Sequence, residues 1–255
     1  MMKAHKIQDG IADALKELRM SAVLENLLPV TERAVANNSG YDAYLLELLQ
    51  LECENRRQTR ADARLRQSKL PYAKTLETLD LTRFPRKTAQ QARILLEGSF
   101  LDRRENVLVF GKPGTGKTHL ACALAHELIR AGRKIFFRSA DLLVQELLIA
   151  KRDLTLEKTL RRLAGFDAVI IDDIGYVQHG REEMEVLFAF LAHRYEKGSV
   201  MLTSNLPFSK WELIFKDPMT TAAAIDRLVH HSVIIELNIP SYRIQHAKKK
   251  QEEVA

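Results

Sequence analysis

The sequence predicts an α/β protein, a five-stranded parallel sheet covered by helices on both faces and preceded by a small all-α N-terminal domain. Three observations predict it. From about residue 105 onward, short apolar runs rich in Val, Ile and Leu alternate with helical stretches. Before about residue 75 the periodicity is helical and no plausible strand occurs. A glycine-rich turn joins the first apolar run to the helix after it, which is where a parallel sheet receives its ligand, at the carboxyl ends of the strands.

The elements follow in order. Ile11, Leu15 and Leu18 recur at helical spacing. Pro29 is expected to break the segment 23–28, because it lacks an N–H and its ring crowds the preceding turn. Asn37-Asn38-Ser39-Gly40 reads as a turn. Residues 41–69 read as one long helix, amphipathic in its first half (Tyr44, Leu45, Leu48, Leu49), basic in its second, and ended by Pro71. Residues 70–85 look like a linker and 89–97 like a further helix. These patterns divide the chain into a helical domain over 1–75, a linker and helix over 76–100, and a sheet domain over 101–255. Strands are predicted at 105–110, 134–138, 168–173, 199–204 and 232–237. Helices are predicted at 118–131, 140–151, 156–163 and 181–196, the first stopped by Gly132.

Composition narrows the class. The chain has 255 residues, 46% hydrophobic and 28% charged, enough for a sizeable core. Cys53 and Cys122 stand in unlike contexts, so neither a disulfide framework nor a metal cluster is suggested. The first residues lack the apolar core of a signal peptide and no run approaches membrane-spanning length, so a cytoplasmic protein is expected. The net charge of +6 points modestly toward nucleic acid. Arg56, Arg60 and Arg64 recur every four residues with Arg57 beside them, which makes either a phosphate-tracking stripe or a solvated helix surface. Lys248-Lys249-Lys250 reads as a solvated tail.

The most specific signal is Gly111-Lys112-Pro113-Gly114-Thr115-Gly116-Lys117-Thr118, a phosphate-binding loop between strand and helix. Its backbone N–H groups wrap the phosphates of a nucleoside triphosphate, Lys117 reaches the β- and γ-phosphates, and the Thr118 hydroxyl ligands Mg²⁺. The run 168–171 ends in Asp172-Asp173. Asp172 is placed to hold Mg²⁺ and Asp173 to polarise the attacking water. The competing reading of this pair is a solvated cap on the next helix. Asn205 follows the fourth strand and is placed to orient that water, or to make an Asx turn before Pro207. Arg227 is placed either to reach a neighbouring subunit's γ-phosphate or to sit at the surface beside Asp226. Arg243 is a candidate contact to the nucleotide from the same subunit.

This arrangement resembles the AAA+ ATPases, and within them the IstB-type ATP-binding helpers of insertion-sequence transposases. DnaC-type helicase loaders are the next likeness. The resemblance rests on Leu48-Leu49-Gln50-Leu51-Glu52 leading into the basic stripe, on Leu70-Pro71 with Lys74-Thr75-Leu76, and on the phosphate loop. It continues through Ile170-Ile171-Asp172-Asp173-Ile174-Gly175, 203–208 with Trp211, Asp226-Arg227-Leu228 and Ser241-Tyr242-Arg243. It implies ATP and Mg²⁺ as ligands, Asn205 as sensor 1, Arg227 as an inter-subunit arginine finger and Arg243 as a sensor 2 candidate. It further implies an ATP-dependent homo-oligomer on duplex DNA that stimulates a partner transposase. Lys151, Arg152, Lys158, Arg161 and Arg162 are expected to add DNA contacts. Most AAA+ proteins carry Asp-Glu where this chain has Asp172-Asp173, which suits slow turnover. A helical lid after Arg243 is not expected. A small-molecule P-loop kinase is the rival of another class, and it leaves the basic helix without a role.

Overall fold

The computed structural model describes residues 2–175, 180–215 and 217–245. Three helices open the chain, α1 (Met2–Glu17), α2 (Ser21–Ala36) and α3 (Tyr41–Ser68). α4 (Arg86–Leu96) and α5 (Ser99–Asp102) precede β1 (Asn106–Gly111), α6 (Lys117–Arg130), β2 (Ile135–Ser139), α7 (Ala140–Arg152) and α8 (Leu156–Ala164). β3 (Ala168–Ile174), α9 (Arg181–Arg194), β4 (Ser199–Ser204), α10 (Glu212–Phe215), α11 (Pro218–Val229) and β5 (Ser232–Leu237) follow. Lys248-Lys249-Lys250 lies outside the described residues.

The chain divides into two compact units, Met1–Ala63 and Arg64–Ala255. In the first, Val23, Val30 and Leu48 form a small core with Leu15, Leu27, Tyr44 and Leu51 around them. Pro29 does not break the chain there; it lies inside α2. The proline removes one helical hydrogen bond, but Val23 and Val30 on either side of it are both buried in the same core. Packing outweighs the local cost. Glu52, 4% exposed, accepts from the Ala22 N–H at 3.0 Å and from Arg56 Nε at 2.7 Å. The same guanidinium donates to Arg19 O at 3.1 Å, so one ion pair joins the end of α1, the start of α2 and the middle of α3.

In the second unit the strands run parallel in the order β2-β3-β4-β1-β5. The inner strands read as continuous apolar runs because both faces are covered. Leu108, Phe110, Val169, Ile171 and Leu202 point to one side, into a core with Leu143 and Leu147 of α7 and Leu187 and Phe190 of α9. Val107, Val109, Ile170 and Met201 point to the other, against Leu120 and Leu124 of α6 and Leu95 of α4.

The division of the chain falls at residues 63 and 64, earlier than the predicted boundary over 75–100. Leu70, Phe84 and Leu95 belong to the core that holds Val107 and Leu120, with Leu79 and Leu81 packed against it. The stretch 70–85 is irregular in spacing, so its apolar residues carry no helical or strand period, yet Leu70 and Phe84 are core all the same.

Asn106 pins the strand starts. Its Oδ1 accepts from the Val200 N–H at 2.8 Å and its Nδ2 donates to Leu228 O at 3.0 Å. Asn106→Ala leaves two buried backbone groups unpartnered and is expected to cost about 2–3 kcal/mol, read as a lower denaturant midpoint at unchanged slope. The cysteines offer a second check. Cys122 is fully buried in α6, and burial pushes its thiol up to about 12, whereas Cys53 is exposed. At pH 8 a disulfide reagent is expected to titrate one thiol, Cys53, in the native protein and two after denaturation.

Candidate nucleotide-binding and hydrolysis site

β1 ends and α6 begins on the phosphate loop, so the first turn of α6 presents unpaired N–H groups and the positive end of its dipole to whatever the loop holds. Gly111 is required by close approach: a Cβ there would sit 2.8 Å from the Leu237 carbonyl oxygen. Gly116, at φ +96, turns the chain into α6 in a conformation that glycine adopts without penalty. Within the loop, Thr115 Oγ1 donates to Lys112 O at 2.9 Å.

Lys117 is only 5% exposed, and its Nζ donates to Lys112 O at 3.2 Å. Burial pushes its ammonium below the usual lysine range, the charges of Asp173 and Asp172 push it back up, and Arg243 pushes it down. A largely desolvated cation held by one carbonyl, in a loop where a Cβ would not fit, suits a polyphosphate.

The carboxylates come from β3. Between the pairs Ile171↔Leu202 and Ile174↔Ser204, β3 advances three residues while β4 advances two. The bulge falls at Asp172 and Asp173, and Asp173 takes φ +58. Asp172 is 7% exposed and accepts from Thr203 Oγ1 at 2.6 Å and from the Thr118 hydroxyl. Burial raises its pKa above the ordinary aspartate value, while the two hydroxyls oppose the shift. A buried carboxylate beside the Thr118 hydroxyl is an all-oxygen donor set of the kind Mg²⁺ takes. The structure thus brings Lys117, Thr118, Asp172 and Asp173 together.

A cleft of about 370 Å³ adjoins them, lined by residues 113–118, Asp173, Tyr242 and Arg243. Its other wall was not foreseen from the sequence. Lys74, Thr78, Asp80, Arg83 and Phe84 line it, from the stretch read as a linker. His119 holds that stretch: its Nε2 lies 3.0 Å from both Thr75 O and Thr78 Oγ1. Arg83 donates to Pro240 O at 3.1 Å and to Gln245 Oε1 at 2.8 Å, with its guanidinium 4.8 Å from the Tyr242 ring centre. Tyr242 N–H in turn donates to Gly114 O at 2.9 Å. Nothing local in the sequence marks these contacts; the one signal was a histidine directly after the phosphate loop.

The remaining candidates lie apart. Asn205 follows β4, the strand between β1 and β3, and its Oδ1 is buried with no hydrogen-bond partner among the described residues. Arg227 is not in the cleft. It donates to Ala223 O at 2.9 Å, stacks 4.7 Å from the Phe188 ring centre, and lines a second pocket of about 160 Å³ at the starts of β1 and β4, with Arg103, Arg104 and Arg194. On α3, Arg56 is committed to Glu52 and Arg57 pairs with Glu54 at 3.3 Å. Arg60 is exposed and Arg64 half-buried, and neither has an ion pair among the described residues. Lys151 pairs with Glu185, Arg161 with Glu157 and Arg162 with Glu146, whereas Arg152 and Lys158 have no ion pair among the described residues.

Solved structures share the fold. AMPPCP-bound DnaA from Aquifex aeolicus superposes with a TM-score of 0.57 at 20% identity, covering 72% of this chain and 56% of that one. A DnaC helicase loader superposes with a TM-score of 0.53 at 17% identity, covering 66% and 98%. What these likenesses share with the chain is the fold. In sequence, the chain is 37% identical to the ATP-binding protein of insertion sequence IS21 from Pseudomonas aeruginosa, over 92% of its own length and 89% of the relative's. It is also 37% identical to the ATP-binding protein of insertion sequence IS5376 from Geobacillus stearothermophilus, over 97% and 98%. The family described as IstB-like ATP binding protein matches residues 13–250, and the chain therefore belongs to that family of insertion-sequence ATP-binding proteins.

Proposed function

We propose that the protein is a Mg²⁺-dependent ATPase that assembles as a homo-oligomer on duplex DNA and stimulates a partner transposase. The observation that carries the hydrolytic reading is the convergence of buried Lys117 with Asp172 and Asp173 at the edge of the cleft. Lys117 binds the β- and γ-phosphates and exchanges its Lys112 carbonyl for phosphate oxygens. Thr118 and Asp172 hold the metal ion, which when bound neutralises charge on the phosphates. Asp173 accepts a proton from the attacking water, and the unpartnered Oδ1 of Asn205 orients that water. Arg243 contacts the nucleotide of its own subunit. Arg227 serves the γ-phosphate of a neighbour, which its place outside its own cleft favours.

Binding and chemistry are expected to separate by mutation. Lys117→Ala should weaken ATP binding on the order of a hundredfold, since it removes the charge-assisted contacts to the phosphates. Asp173→Asn should keep ATP affinity and lower turnover by roughly a hundredfold or more. Nucleotide titration beside steady-state phosphate release checks both. Normal turnover in Asp173→Asn would place the base elsewhere.

The DNA reading rests on exposed cations that have no ion pair among the described residues. Arg56 is a poor target, because its loss strands buried Glu52. An Arg60→Ala, Arg152→Ala, Lys158→Ala protein is expected to bind duplex DNA with a salt-dependence slope shallower by about one unit per lost phosphate contact. An unchanged slope across a potassium chloride series would assign these residues to solvent or to a protein partner.

A further inference from the structure

We infer that Thr203 is a positioning residue which sets the metal-binding and water-polarising carboxylates through one hydroxyl group. The inference rests on the hydrolytic reading above and concerns a residue that no phosphate or metal motif includes. Thr203 lies on β4, is fully buried, and faces the bulge of β3.

The proton positions follow from the donors available. The Asp173 N–H donates to Thr203 Oγ1 at 2.8 Å. Oγ1 has a single proton of its own, and Asp172 Oδ1 lies 2.6 Å away. The hydroxyl therefore accepts from one aspartate and donates to the other. Because the bulge inserts a residue into β3, the turned N–H of Asp173 is satisfied by a side chain of β4. Asp173, at φ +58, occupies the left-handed region, which is unfavourable for a non-glycine residue. The bond to Thr203 helps hold it there. The bond to Asp172 fixes the plane of a buried carboxylate, whose rotation would leave a buried hydroxyl without an acceptor.

Only a β-hydroxyl at this position serves both partners. Valine matches threonine in shape and removes the hydroxyl, stranding the Asp173 N–H and an oxygen of Asp172. Serine retains both bonds. Among the described residues the Thr203 hydroxyl bonds to the two aspartates and to no residue of the phosphate loop, so metal-free nucleotide binding is the internal control.

The test uses the full chain, a non-hydrolysable ATP analogue, and Mn²⁺ followed by electron paramagnetic resonance. Thr203→Val is expected to bind the analogue in EDTA within about twofold of wild type, while Mn²⁺ half-saturation rises tenfold or more. Thr203→Ser is expected to return that half-saturation to within about threefold. If the valine protein does not fold, Thr203→Ala supplies the same comparison. Mn²⁺ half-saturation within twofold of wild type in Thr203→Val overturns the assignment. So does a loss of metal-free analogue affinity in Thr203→Val that serine does not restore, because a core contact alone would do that. A wild-type protein that binds Mn²⁺ with the analogue yet releases no phosphate from ATP refutes the hydrolytic reading, while the Mn²⁺ comparison still decides Thr203.

Discussion

A desolvated ammonium opposite two carboxylates is the constraint on which the sheet unit depends. Burying Lys117 is unfavourable unless opposite charge lies close, and Asp172 and Asp173 provide it. That requirement ties the end of β1 to the end of β3, although β4 separates them in the sheet. The spanning strand must then be polar at its tip and apolar along its length. β4 meets both demands: Val200, Met201 and Leu202 are core, and Thr203, Ser204 and Asn205 carry the polar end. Ser204 Oγ bonds to Ile174 O at 3.0 Å, so the tips of β3 and β4 are joined beyond the bulge as well as at it.

Much of the sheet unit was legible because its signals are local. A buried parallel strand must be apolar throughout, and all five strands were found within a residue or two of their ends. Gly111–Thr118 was legible because phosphate binding demands a fixed spacing, and the Asp172-Asp173 pair because carboxylates are rare at the end of such a run. The first helices were legible in kind but not in extent. Pro29 argued for a break, and the burial of Val23 and Val30 overrode it.

What escaped was non-local. The stretch 70–85 has no long period because, apart from the single 3-10 turn Leu81–Arg83, it is held by contacts to His119 and His126 of α6. Its anchors, His119 on Thr75 and Thr78 and Arg83 on Pro240 and Gln245, join residues 41 to 162 positions apart. The Glu52–Arg56 pair escaped for a related reason. A spacing of four on α3 does not reveal that Glu52 is buried against the start of α2. Arg56 is thus occupied within its own unit.

The position of Arg227 follows from the same topology. α11 ends beside the starts of β1 and β4, where Asn106 holds Leu228 O and the Val200 N–H, while the nucleotide cleft lies at the opposite ends of those strands. A side chain fixed there by Phe188 and the Ala223 carbonyl lines a different pocket from the phosphate loop of its own chain. If Arg227 acts on a phosphate, that phosphate belongs to a second copy. Hydrolysis would then require at least two copies of the chain to meet.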